Sequence, residues 1–174
     1  MKQNAGFITV PPDRGLSRSP MPHKRNIASY AEGSFQPHGQ IELWPEGSLV
    51  LIEAEGPFNL EAALALRRAY AELLASMPQG RPFVIAGRFS NSLLASPDAL
   101  DAFRDMLAMA SSHGMAPWAV GYAVAPEVVG RELMLPVLER LYAAQGRRFA
   151  VFEQWDEARR WALSELACAA AAPA

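Results

Sequence analysis

Five side chains with charged or hydrogen-bonding groups fall within one short segment: Arg88, Ser90, Asn91, Ser92 and Ser96. The segment follows a wholly apolar run and precedes an amphipathic pattern, so we predict a loop from a buried strand into a helix. In open α/β sheets, ligand and partner contacts collect at the carboxyl ends of the strands. The five residues are therefore our candidates for a partner-binding or phosphorylation loop. The alternative is that Ser96 only caps the helix and the other side chains face water.

Other residues able to do chemistry are few and dispersed. Cys168 lies in an alanine-rich segment without a nearby histidine, which disfavours a catalytic thiol, and a single cysteine excludes a multi-cysteine zinc site. The histidines His23, His38 and His113 are far apart in the chain, which disfavours a metal centre. We predict no metal and no catalytic thiol.

A hydrolase-type arrangement would need His113 close to Ser96 and to a carboxylate such as Asp98 or Asp101. The intervening residues have a helical pattern, and a helix rises about 1.5 Å per residue, so roughly 25 Å would separate Ser96 from His113. An enzyme of this type is the least favoured of our functional hypotheses, and we predict no catalytic residue.

Glycine-rich motifs for binding cofactors are absent from the sequence. It has no G-x-x-x-x-G-K-[ST], G-x-G-x-x-G, G-x-S-x-G or H-E-x-x-H motif. The first predicted strand–helix turn is Gly56-Pro57-Phe58-Asn59, whose proline leaves few backbone N–H groups to hold a phosphate. We interpret this turn as a strand end followed by a helix cap, and we predict no cofactor.

Charge is distributed unevenly along the chain. Residues 1–38 carry five basic and two acidic residues, 5 − 2 = +3, and the remainder carries 11 basic and 16 acidic residues, or −5. An acidic body disfavours nucleic-acid binding, which needs clustered Lys and Arg. Three arginine pairs, at 67–68, 147–148 and 159–160, are interpreted as solvated residues, with anion recognition as the alternative.

No apolar stretch reaches the roughly 18 residues that a membrane span requires, so we expect none. The apolar patch at residues 7–10 is shorter than the roughly 7 to 15 residues of a secretory signal, so we expect a cytoplasmic protein. Met1 and Met21 both remain open as the start of translation.

Hydrophobic periodicity predicts the order β-β-α-β-α-β-α-β-α, an α/β fold with a mixed, mostly parallel sheet of about five strands and four helices. The clearest helix follows Asn59, where apolar residues recur at steps of three and four up to Met77. We predict a disordered tail over residues 1–32, a single domain over 33–168, and a frayed alanine-rich tail over 169–174.

Three segments resemble one known family. They are Gly56-Pro57-Phe58-Asn59 before the first helix, Ser96-Pro97-Asp98-Ala99 opening the second, and residues 152–161 with their F-x5-A-x-x-W spacing. With the element order, they resemble the SpoIIAA-like STAS domains of bacterial anti-sigma factor antagonists and the related CRAL-TRIO-like group, and are most similar to small bacterial members. The resemblance covers about residues 33–167. It implies a regulatory role, and in phospho-switched STAS proteins a modified serine at a position matching Ser96, which here follows alanine rather than aspartate.

Our leading hypothesis is a non-enzymatic regulatory or protein-interaction module of STAS-like type, binding a protein partner or a second copy of itself through residues 88–96. The first alternative is a protein that binds a small apolar molecule between its helices and its sheet. The abundance of methionine and aromatic residues and the lipid-binding relatives of the family motivate it. The second alternative is the hydrolase-type enzyme.

Overall fold

Apolar strands alternating with amphipathic helices produce a six-stranded sheet with helices on both faces. The computed structural model describes residues 23–171 of the chain. The strands are β1 (Arg25–Asn26), β2 (Gln40–Glu46), β3 (Leu49–Glu55), β4 (Val84–Ser90), β5 (Ala119–Val124) and β6 (Arg148–Phe152). The helices are α1 (Leu60–Ser76), α2 (Pro97–Ser112), α3 (Arg131–Ala144) and α4 (Trp155–Ala171), with a short 3-10 helix at Ile27–Tyr30. The predicted fold class, α/β with a mostly parallel mixed sheet and four helices, is confirmed.

The strands lie side by side in chain order, from β1 to β6. Strands β1, β2 and β3 pair antiparallel, and β3 to β6 pair parallel. Right-handed crossovers that always advance in the same direction place their helices on the same face of the sheet. Helices α1, α2 and α3 therefore share one face, whereas α4 follows the last strand and packs on the opposite face against β4 and β5.

Alternating side chains of the central strands divide the interior into two cores. Leu49 and Leu51 of β3 pack with α4 in the smaller core, and Val50 and Ile52 pack beneath α1–α3 in the larger core. This follows from the two-residue period of a strand. It also explains why these strands appear in the sequence as continuous apolar runs, since both faces are covered.

Local signals begin the first two helices where the sequence predicts. The Asn59 side chain accepts a hydrogen bond from the Ala62 N–H at 3.0 Å, and Ser96 accepts one from Ala99 at 3.2 Å. Helix α3 begins at Arg131, and Pro136 lies in its interior.

Two predicted boundaries differ from the structure. Strand β4 continues to Ser90, although residues 87–90 were predicted as loop, because β4 stays paired with β3 as far as Glu55. At the start of the domain, β1 pairs with β2 and Ile27 is almost completely buried, so ordered structure begins before the predicted boundary at residue 33. Residues 1–22 of the predicted tail lie outside the described residues.

At the other end, α4 continues past the predicted boundary at residue 168, and Ala169 is buried. Residues 172–174 lie outside the described part of the chain. Among the helices that are described, none is long and apolar enough to cross a bilayer.

The larger core should dominate stability. Leu73 of α1 is fully buried in it, so Leu73→Ala should lower the free energy of unfolding by about 3 kcal/mol through lost burial and the cavity left behind. Leu163→Ala is the matched helical control, since Leu163 is 43% exposed, and should change it by less than about 0.5 kcal/mol. Urea unfolding of both variants measures the difference, and equal losses would contradict the assignment of the core.

Candidate functional site

The predicted partner or phosphorylation residues lie along β4 and the segment that joins it to α2. Arg88 and Ser90 belong to the end of β4 and are exposed. The Arg88 guanidinium forms an ion pair with Glu53 at 2.6 Å and lies 5.8 Å from the ring centroid of Trp155. Arg88 is therefore engaged with the surface of its own domain.

The remaining three predicted residues use their polar atoms to hold the backbone. The Asn91 side chain donates to the Gly56 carbonyl at 2.8 Å, and Ser92 is buried with its Oγ accepting from the Leu94 N–H at 3.2 Å. Ser96 caps α2, as described above. The structure thus places all five residues at one edge of the sheet, and their role in partner binding or phosphorylation stays a prediction.

A cavity of about 110 Å³ lies between the larger-core face of the sheet and helices α1, α2 and α3, and Leu93 and Ala95 of the segment between β4 and α2 contribute to its lining. Most of its lining side chains are aliphatic or aromatic and come from every element around it. Examples are Ile52, Leu66, Ile85, Phe89, Phe103, Met106, Leu107, Ala110, Met134 and Leu138. An engineered apolar cavity of about 150 Å³ takes up benzene, so this space is of the size that accommodates one small apolar group.

Tyrosines supply hydroxyl groups to this otherwise apolar wall. Tyr70 of α1, Tyr122 of β5 and Tyr142 of α3 all line the cavity and are buried. The hydroxyls of Tyr122 and Tyr142 are 2.6 Å apart and hydrogen-bonded. In such a pair one hydroxyl donates and the other accepts, and the accepting hydroxyl keeps a proton that a further acceptor can take.

Aromatic rings fix the position of this tyrosine pair. Phe149 of β6 stacks on Tyr142 with ring centroids 4.7 Å apart, and its ring meets Tyr122 edge to face at 5.3 Å. Phe89 and Phe103 contact the same pair from β4 and α2. The hydroxyls are therefore held by packing on several sides.

Burial shifts the ionisation of all three tyrosines in the same direction. Desolvation raises the pKa of Tyr122 to about 12, and its hydrogen bond with Tyr142 lowers it in part. Burial also raises the pKa of Tyr70 and Tyr142 well above the usual value. The side chains are thus neutral phenols near neutral pH and act there as hydrogen-bonding groups.

One end of the cavity carries polar groups without a partner. Ser111 of α2 and Arg147, just before β6, both line it. The Ser111 Oγ and the Arg147 Nε are buried, and neither has a hydrogen-bond partner within residues 23–171. Gln145 lies at the same end, at the carboxyl terminus of α3.

Residues suggested for other chemistry stay apart. Ser96 caps the start of α2 and His113 follows its end, so the 16-residue helix separates them by about 24 Å at 1.5 Å per residue. The hydrolase-type arrangement is therefore not assembled. Cys168 is exposed on α4, and no cluster of metal-ligating side chains occurs among the residues that the structure describes.

The sequence analysis missed the tyrosine cluster and the Arg147 end of the cavity. The first alternative hypothesis placed an apolar ligand between the helices and the sheet, but it named no residue for such a site. A signal was present in Tyr70, which falls on the apolar stripe of α1, and in Tyr122, within an apolar strand, because each brings a hydroxyl into the interior.

Comparisons with known proteins give little further information. No protein-family model matches this chain, and no curated protein does. The crystal structure of apo-SiaC from Pseudomonas aeruginosa matches with a TM-score of 0.44 and 16% sequence identity, covering 70% of this chain and 95% of that chain. A likeness of this size supports no inference about function, so the resemblance to STAS domains stays a hypothesis.

Alkaline pH should destabilise the protein through the buried tyrosines. In the unfolded chain a tyrosine ionises near pH 10, whereas Tyr122 in the folded protein has a pKa of about 12. The stabilisation is therefore complete below pH 10 and is lost as the pH rises toward 12, by up to about 1.4 kcal/mol per pH unit for each buried tyrosine.

Urea unfolding at increasing alkaline pH measures this slope. Tyr122→Phe should make this decline in the free energy of unfolding shallower, by up to about 1.4 kcal/mol per pH unit, because one ionisable hydroxyl is removed. Phenolate absorbance from the buried tyrosines near pH 10 in the folded protein would contradict the prediction.

Proposed function

We propose that this protein binds a small, mostly apolar molecule in the cavity between α1, α2, α3 and the sheet. The observation that carries the proposal is the cavity itself, whose wall is apolar except for a few polar groups on one side. Small-molecule sites characteristically combine an apolar wall with a few placed polar groups that orient the ligand.

The packing around the cavity supports this proposal. Protein interiors are close-packed, and a space of about 110 Å³ forfeits contacts that the surrounding side chains would otherwise make. An apolar ligand would restore those contacts and would remove its own surface from water, at roughly 25 cal/mol per Å². Both contributions favour binding.

Filling the cavity from the protein side tests the proposal. Ala110 lines the cavity and is buried, so Ala110→Met should occupy ligand space. Toluene is a suitable probe, and its binding can be followed by NMR shifts of the methyl groups that line the cavity. We expect saturable binding to the unmodified protein and a loss of at least about tenfold in affinity, or about 1.4 kcal/mol, in the variant.

Ala108→Met is the matched control, because Ala108 lies on the exposed side of the same helix. It should bind toluene as the unmodified protein does. Absence of toluene binding to the unmodified protein, or equal affinity in both variants, would contradict the proposal.

We propose protein interaction at the β4–α2 edge as a second candidate function. Val129 and Leu133 are exposed large apolar residues, 56% and 67% respectively. Val129 is joined to the predicted loop, since its backbone N–H donates to the Asn91 carbonyl at 3.0 Å and its carbonyl accepts from the Leu93 N–H at 2.8 Å. Exposed apolar residues beside a polar loop are a feature of interaction surfaces.

This second function can be separated from ligand binding. Leu133→Asp should abolish co-purification of a partner or self-association, because a charge would be desolvated in the interface. Leu163→Asp on α4, an exposed leucine on the opposite face of the sheet, should leave the association unchanged. An unmodified protein that is monomeric and recovers no partner would count against this function.

A further inference from the structure

Arg147 differs from the other arginines in its surroundings. It is the one charged side chain among those that line the cavity within residues 23–171. Its Nε is buried and has no hydrogen-bond partner among the described residues, whereas its neighbour Arg148 pairs with Glu165 at 2.5 Å. In the other two arginine pairs, Arg68 contacts Glu32 and Arg159 contacts Glu46, each at 2.6 Å.

A buried donor without a hydrogen-bond partner destabilises the folded state, and the cost is larger when the donor belongs to a charged group. Within residues 23–171, a guanidinium N–H and the Ser111 hydroxyl are both unsatisfied, and both residues line the cavity. Ser111 is in the last turn of α2 and Arg147 immediately precedes β6, so both lie toward the end of the cavity where β5 and β6 begin. In the part of the chain that the structure describes, no aspartate or glutamate lines the cavity to receive these hydrogen bonds. A ligand atom that accepts hydrogen bonds would satisfy both groups, and a negative charge on it would match Arg147.

We propose that the cavity binds a small apolar molecule carrying one carboxylate, with the carboxylate at Arg147 and Ser111 and the apolar part against the aromatic wall. This inference rests on the function proposed above and names the ligand class. A carboxylate suits this end because its two oxygens can accept two parallel hydrogen bonds from a guanidinium.

The helix ends near Arg147 disfavour a ligand with more than one negative charge. Helices α2 and α3 both end beside this part of the cavity, at Ser112 and Ala144, and each carboxyl terminus carries roughly −0.5 of a charge. These two ends offset much of the field of Arg147. A doubly charged group such as a phosphate would therefore be less well compensated than a carboxylate.

The tyrosines add neutral hydrogen-bonding groups to the wall of the cavity. Burial raises the pKa of Tyr70, and the positive charge of Arg147 lowers it in part. Phenol hydroxyls are neutral donors, so they can orient a ligand without adding charge. The volume of about 110 Å³ limits the apolar part to a single ring or a short chain.

Benzoate and toluene form a suitable probe pair, since they share one ring and differ in the carboxylate. Each is titrated by calorimetry into the unmodified protein, Arg147→Met and Arg148→Met. The last variant removes the same charge one residue away, from a side chain outside the cavity lining. Arg147→Lys keeps the charge but not the two-pronged geometry, and it serves if the methionine variant does not fold.

We expect the unmodified protein to bind benzoate at least tenfold more tightly than toluene. Arg147→Met should lose this preference while still binding toluene, Arg147→Lys should retain part of it, and Arg148→Met should retain all of it. In the unmodified protein, benzoate should also shift the Arg147 Nε–H resonance in NMR spectra.

Three other results would overturn the inference, and those that leave apolar binding intact are distinguishable from the one that does not. If toluene binds and benzoate binds no more tightly, or if both arginine variants behave alike, the carboxylate assignment is wrong and apolar binding stands. Arg147 would then serve only to compensate the helix ends. If neither probe binds the unmodified protein, the proposed function is wrong and this inference fails with it.

Discussion

The handedness of the parallel crossovers is the constraint on which the rest of this structure depends. Because β3 to β6 follow one another in chain order, each right-handed connection returns its helix to the same face. Three helices must then share that face, and α4, which leads to no further strand, is free to cover the other. The unequal division produces a thin core beneath α4 and a thick one beneath α1–α3. The cavity lies in the thick core.

Tyrosine is the residue that makes this thick core chemically distinctive. An all-aliphatic interior would offer a ligand no orientation, and an ionised group there would incur a large desolvation cost. Paired phenols avoid both problems, because Tyr122 and Tyr142 satisfy each other and stay neutral. Arg147 is the one charged side chain in the cavity wall within residues 23–171, and it lies where two helix carboxyl termini supply compensating partial charges. The polarity of the cavity is therefore concentrated at one end.

At the carboxyl ends of the parallel strands, the polar side chains have a structural role. There Asn91, Ser92 and Ser96 use their side chains to hold the turn between β4 and α2, and the apolar side chains of Val129 and Leu133 face outward. The polar side chains of this segment therefore stabilise the backbone of the turn. The same segment contributes Leu93 and Ala95 to the cavity wall, so it borders both the cavity and the exposed apolar residues.

Sequence periodicity determined the element order, the helix caps at Asn59 and Ser96, and the buried character of the central strands, since these depend on neighbours along the chain. It could not determine β1, because a strand of two residues is too short to show a period. It also could not determine the full length of β4, because the last residues of that strand are held by pairing with β3. Both features depend on pairing partners that are distant in sequence. The cavity has the same origin. Tyr70, Tyr122, Tyr142 and Arg147 come from separate elements, and only the crossover topology brings them together, so their common environment was decided by the tertiary structure alone.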